Sequence, residues 1–220
     1  FDPIIDSSDM RPDYWIKMAQ IIYDNYQAYD GFVILQGTDT MAFTASAMSF
    51  ILQGLSKPIV LTGSQLPIGT LRTDGKENLI SSIQIAADKK NGKAIVPEVC
   101  VFFENQLFRG NRTTKHNAEY FYAFRSDNYP VLAEAGIDIH YNTNVILPVS
   151  NNPMPEFHKT LDQSLAMLRI FPGITENVVK HICEIDGLRG LILQSYGAGN
   201  VMTDAWFTKI LEETVSRGVY

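Results

Sequence analysis

An apolar run over residues 31–35 stops at Gln36-Gly37-Thr38-Asp39-Thr40-Met41-Ala42 and gives way to a helical pattern over 41–53. The same change recurs after Ile59–Thr62, where Gly63-Ser64-Gln65 leads toward a helix that starts at Asp74-Gly75-Lys76-Glu77, spaced as a capping box. In that helix Leu79, Ile80, Ile83 and Ala87 are expected to face inward. Val99–Phe103 reads as a further strand, and residues 12–26 read as a helix with Pro12 in its first turn and Trp15, Met18, Ile22 and Tyr26 on one face. Short strands alternating with helices of this length require crossover connections and so a mostly parallel sheet.

The pattern breaks between 142 and 163, where residues 144–155 are rich in Asn and Pro and read as a connection between domains. It resumes with strand patterns at 165–170 and 191–193 and helical patterns at 175–185 and 204–216. The expected fold class is therefore α/β, a large N-terminal domain with a mostly parallel sheet plus a smaller C-terminal parallel α/β domain. The expected boundaries are 1–148, a linker at 149–163, and 164–220.

Composition excludes several classes. The formal charge of -6 and the lack of a Lys/Arg run argue against a nucleic-acid partner. No apolar stretch reaches the roughly 18 residues that would span a bilayer. Cys100 and Cys183 form neither a disulfide framework nor a metal pattern, and His116, His140, His158 and His181 show no ligand spacing, so no metal is expected. Gly197-Ala198-Gly199-Asn200 lacks the spacing of a dinucleotide fingerprint, and no cofactor is expected. Buried thiols and the absence of a visible signal peptide fit a cytoplasmic protein.

Gly37-Thr38-Asp39-Thr40 has two readings. Thr and Asp are good helix caps and Gly serves a turn. The same residues set a hydroxyl and a carboxylate at the end of a buried strand, where open α/β sheets bind ligands and a helix N-terminus favours developing negative charge. Arg109-Gly110-Asn111-Arg112-Thr113-Thr114-Lys115 is either a solvated loop or the source of a lysine, Lys115, that pairs with Asp39 and polarises the Thr38 hydroxyl. Asp6-Ser7-Ser8-Asp9 either caps the first helix or binds the charged ends of an amino acid. Gly63-Ser64-Gln65 reads as a turn more readily than as a site.

Taken in order, Ile5-Asp6-Ser7-Ser8-Asp9-Met10, the stretch from Tyr29 through Gln36-Gly37-Thr38-Asp39-Thr40-Met41, Thr62-Gly63-Ser64-Gln65, Arg72-Thr73-Asp74-Gly75 with Asn78, residues 109–115 and Ser195-Tyr196-Gly197-Ala198-Gly199-Asn200 resemble the bacterial-type asparaginases, nearest the type I cytoplasmic enzymes. The resemblance implies hydrolysis of L-asparagine to L-aspartate and ammonia without metal or cofactor, by acyl transfer on threonine, in a dimer or tetramer of identical chains. It implies that Thr38, Asp39 and Lys115 form a catalytic triad, and that Ser7, Ser8, Thr38 and Asp39 bind substrate. Asp74 and Asn78 are implied to be structural.

Departures from the family are equally informative. The Thr-Gly-Gly-Thr-Ile segment that carries the family's primary nucleophile is not among these residues. The chain opens at Phe1-Asp2-Pro3 and closes at Arg217-Gly218-Val219-Tyr220, which repeats the helix-to-strand cue Arg189-Gly190-Leu191-Ile192. A piece of a longer protein, inactive or nearly so by itself, is the expectation. Gln194 stands where some members carry an arginine of a regulatory asparagine site, so allosteric control is not expected. Two other functions fit the same residues: a glutamine-hydrolysing subunit of a tRNA-dependent amidotransferase, and an amino-acid-binding module without catalysis.

Overall fold

In a computed structural model that describes residues 4–220, the chain forms two compact units, one ending at Thr160 and one spanning Leu161–Tyr220. The expectation about Phe1-Asp2-Pro3 lies outside the described residues. Residues 149–160, expected in a linker, belong to the first unit. There Glu156–Phe157 pairs antiparallel with Leu52–Gln53.

The first unit runs α1 (Pro12–Asn25), β1 (Phe32–Leu35), α2 (Met41–Ile51), β2 (Leu52–Gln53), β3 (Ile59–Thr62), α3 (Gly75–Ala87), β4 (Lys89–Lys90) and β5 (Lys93–Ala94). It continues through β6 (Val99–Phe103), β7 (Gln106–Arg109), β8 (Thr114–Lys115), β9 (Phe124–Arg125), β10 (Ala133–Ala135), β11 (Ile139–Tyr141) and β12 (Glu156–Phe157). A six-stranded sheet takes the order β1-β3-β6-β7-β10-β11. The three strands read from sequence, β1, β3 and β6, are mutually parallel, as their crossover helices require. The other half is an antiparallel meander of short strands.

β3 and β6 are buried at every position, which explains why both read as unbroken apolar runs. Val60, Ile85, Cys100, Phe102, Leu107 and Leu132 form one core, each at most 1% exposed. Met18, Ile22 and Tyr26 of the α1 region are buried as their periodicity predicts.

The face of α3 differs from the expectation. Ile80 and Ile83 are more than half exposed, and the buried side is Asn78, Ser82, Ile85 and Ala86. Asp74 makes no side-chain cap, because its carboxylate accepts the backbone N–H groups of Gln65 and Leu66 instead. Asn78 donates to Gly63 O at 3.0 Å and accepts Glu104 N–H at 3.1 Å. The helix is thus turned toward the loops it must hold, and polar residues are buried because each is satisfied.

The second unit has a parallel pair, β13 (Leu165–Arg169) and β14 (Gly190–Gln194), with α4 (Glu176–Cys183) and α5 (Ala205–Ser216). Leu168, Val179, Cys183 and Phe207 anchor its core. Tyr220 exchanges two backbone hydrogen bonds with Arg189 and Leu191 beside β14. Among the described residues no helix is long and apolar enough to cross a membrane.

Candidate active site

The C-terminal ends of β1 and β3 approach closely because Gly63 has no side chain: a Cβ there would lie 2.2 Å from Gln36 O. Gly37 performs the same service for the Ser7 turn, whose Oγ would be 2.6 Å from an added Cβ. Between them, Thr38 and Asp39 sit in the turn that opens α2. The helix-cap reading of this segment does not describe it. Thr40 occupies the N-cap position without a side-chain cap; its hydroxyl donates to Ser7 O at 2.6 Å and accepts Gln36 Nε2 at 3.0 Å. Gln36 Oε1 is buried without a partner.

Lys115 reaches this turn along a route fixed by packing. Arg109, at the end of β7, is locked by a two-point ion pair to Glu98 at 2.6 and 3.2 Å. The next residue, Gly110, passes α2 so tightly that a Cβ would meet Ala45 O and Ser49 Oγ at 3.0 Å. Thr113 Oγ1 then donates to Arg109 O at 2.7 Å, and β8 begins. Lys115 is paired across its hairpin with Phe124, a buried ring set edge-on to Phe103.

At the end of that route, Lys115 Nζ donates to Thr38 Oγ1 at 2.9 Å and to Asp39 Oδ1 at 2.5 Å. Thr38 is 9% exposed; the lysine side chain is mostly covered, and the Asp39 side chain is 65% exposed. An open cleft of about 670 Å³ lies against Asp39, Phe43, Ser46, Thr114, Lys115 and Asn117. The structure thus joins the three residues predicted as a triad, from two segments 76 residues apart.

Of the predicted substrate-binding serines, Ser7 is buried against Gly37 and Thr40. Ser8 is exposed, and its hydroxyl donates to Asp6 Oδ1 at 2.7 Å. Hydrogen bonds from the Ser8 backbone N–H, and then from its hydroxyl, hold the Asp6 carboxyl below its usual range. Glu104, whose N–H Asn78 accepts, is pushed the other way by burial and by Asp74. Gln194 ends β14, exposed, in the second unit.

One residue at the site was read as part of a turn. Gln65 Oε1 accepts the Thr38 hydroxyl proton at 3.1 Å, and Gln65 Nε2 donates to Tyr120 O at 3.1 Å. The available signal was its position: it follows β3 at the same sheet edge as Thr38. Among the described residues no group of three or more His, Cys, Asp or Glu is placed to hold a metal ion.

Thr38, Asp39 and Lys115 join a hydroxyl, a carboxylate and a lysine Nζ at the carboxyl edge of parallel strands, the edge at which α/β proteins of this class bind ligands. The family model described as "Asparaginase, N-terminal" matches residues 1–147, and the chain belongs to the asparaginase family. It is 43% identical over 219 residues to L-asparaginase 1 of Escherichia coli strain K12, an alignment that covers 100% of this chain and 63% of that protein. It is 41% identical over 217 residues to the 60 kDa lysophospholipase of Mus musculus, covering 99% and 37%. The crystal structure of L-asparaginase I from Vibrio cholerae superposes with a TM-score of 0.90 at 41% identity, covering 100% of this chain and 65% of that one. The chain therefore spans less than two thirds of each of these relatives.

Proposed function

We propose that the protein hydrolyses L-asparagine to L-aspartate and ammonia, with Thr38, Lys115 and Asp39 as the proton-handling group. The observation that carries this reading is the hydrogen-bonded chain Thr38–Lys115–Asp39. A threonine hydroxyl is a weak base and a weak nucleophile, and it needs such a neighbour to act as either.

The proton moves in a balanced relay. The Thr38 Oγ1 takes a proton from the attacking O–H, whether water or a nucleophilic hydroxyl, and passes its own to the neutral amine of Lys115. The resulting ammonium is stabilised by Asp39. Negative charge on the attacked amide carbon's oxygen would be met by backbone N–H groups at such a turn. Ser7, Ser8 and Asp39 are proposed to hold the zwitterionic end of the substrate, which requires Ser8 to exchange Asp6 for the ligand.

A cytoplasmic location belongs to the same proposal and is supported by the two unpaired, buried cysteines. A homo-oligomer is the assembly the family resemblance implies; light scattering on the purified protein tests it. The functional test is ammonia release by the full-length protein from L-asparagine and L-glutamine, with fatty-acid release from lysophosphatidylcholine measured alongside. Turnover of asparagine well above the other two is expected. Exclusive turnover of glutamine or of the lysolipid would replace the reading, and tight aspartate binding with no turnover would favour a binding module.

A further inference from the structure

The amide of Gln65 lies between two groups whose hydrogen-bonding roles are fixed. Tyr120 O is a carbonyl and only accepts, so the nitrogen end of the amide must face it. The oxygen end therefore faces Thr38, and Thr38 must donate to it. Lys115 Nζ donates to Thr38 Oγ1, so Thr38 accepts from that side. A hydroxyl has one proton and two lone pairs. With the proton held by Gln65 and one lone pair held by Lys115, a single lone pair is left for an incoming O–H.

We propose that Gln65 is the positioning residue of this site: it orients the Thr38 hydroxyl to receive the attacking O–H, and it ties to Thr38 the hairpin that delivers Lys115. The inference rests on the asparagine-hydrolysing reading above.

The backbone under Gln65 is built to hold this pose. Both Asp74 carboxylate oxygens accept the Gln65 N–H at 3.0 Å, and one also accepts Leu66 N–H at 3.2 Å. Asn78 donates to the same carboxylate and to Gly63 O. Tyr120 lies in the loop joining β8 to β9, where Asn117 Oδ1 accepts the N–H groups of Glu119 and Tyr120. One half-buried side chain thus connects α3's clamp, the Thr38 hydroxyl and the loop beyond Lys115. During the relay the Thr38 proton must turn from Gln65 to Lys115. Before it does, Gln65 is the acceptor that keeps this proton off the reactant's side.

The test uses the full-length protein with Gln65→Met and Gln65→Glu, comparing kcat and KM for asparagine with the wild type from pH 4.5 to 8. Thermal unfolding of each variant serves as the folding control. Methionine keeps the length and removes both hydrogen bonds; kcat is expected to fall about 10- to 100-fold with KM within about threefold, as for a mispositioned reacting group. A protonated glutamic acid can still donate to Tyr120 O and accept from Thr38, whereas its carboxylate cannot donate. The charged groups around it are Asp74 beneath and Lys115 and Asp39 beyond Thr38. The kcat of Gln65→Glu relative to wild type is therefore expected to rise at least about fivefold as pH falls from 8 to 4.5 and the introduced carboxyl protonates.

A role in packing alone predicts near-normal kcat for methionine and a Glu-to-wild-type ratio that does not change with pH. Either result, or a loss expressed only in KM, overturns the positioning role while leaving the function intact. Wild-type protein that does not turn over asparagine at all overturns the function and this role together.

Discussion

Removing the Glu98 carboxylate tests whether the Arg109 anchor holds the route to Lys115. Glu98 accepts three hydrogen bonds: from Arg109 Nε at 2.6 Å, from Arg109 Nη2 at 3.2 Å and from Leu147 N–H at 2.9 Å. The two side chains are only 4% and 13% exposed. In Glu98→Ala the guanidinium keeps Val145 O at 2.7 Å and the Tyr129 ring at 4.2 Å but loses its counter-charge. Breaking a buried pair from one side costs about 3–5 kcal/mol, and an orphaned backbone N–H adds about 1 kcal/mol. Against this, a cleft of about 310 Å³ borders both residues and admits water to the stranded arginine. The lower end, about 3 kcal/mol, is the expected loss. Urea titration of the full-length protein followed by circular dichroism measures it through the midpoint at constant slope. The double variant Glu98→Leu/Arg109→Met should regain all but about 1 kcal/mol, because no charge is left unpaired. A single-variant cost below about 1 kcal/mol, or a double variant no better than the single, would refute the argument. Because Arg109 begins the turn that leads to Lys115, kcat should fall with stability even in protein that remains folded.

Three further outcomes follow from particular contacts. Tyr141 donates to Asp88 Oδ2 at 2.6 Å, and burial, then this bond, pushes its hydroxyl well above the usual tyrosine range. Its stabilisation is therefore complete below about pH 10, where the unfolded phenol stays protonated, and declines as pH rises beyond that value; Tyr141→Phe should cost about 1 kcal/mol at pH 8 and flatten the alkaline fall in stability. Burial raises the Cys100 thiol well above its ordinary range, so native protein should leave Cys100 unlabelled by iodoacetamide at pH 8, with labelling on denaturation; peptide mass mapping checks this. Gly37→Ala places a methyl 2.6 Å from Ser7 Oγ and should displace the Ser7 turn, raising KM for asparagine about tenfold or more if that turn binds substrate.

Much of the fold was legible because burial wrote it as pattern. β1 and β3 were read from apolar runs followed by Gly turns, β6 from its apolar run alone, and the α1 face from its 3.6-residue spacing. The antiparallel half was not, because β10 and β11 are three residues each and carry Glu134 and His140 between less polar neighbours. The α3 face was misread for a physical reason: Asn78 and Ser82 are buried as bonded polar groups, which periodicity of apolar residues does not see. At the site, Thr38, Asp39 and Lys115 were legible through ordered motifs and were expected to meet. Gln65 was legible only by its place after β3; which end of its amide faces Thr38 is a matter of three-dimensional hydrogen bonding.

The most direct measurement of the central claim is the steady-state rate of ammonia release from L-asparagine by wild-type and Lys115→Met full-length protein. The relay through Thr38 and Lys115 predicts that kcat falls by about 10²–10⁴ while KM changes by less than about threefold, the loss typical of a missing proton acceptor. A Lys115→Met protein whose kcat stays within about threefold of wild type would contradict it.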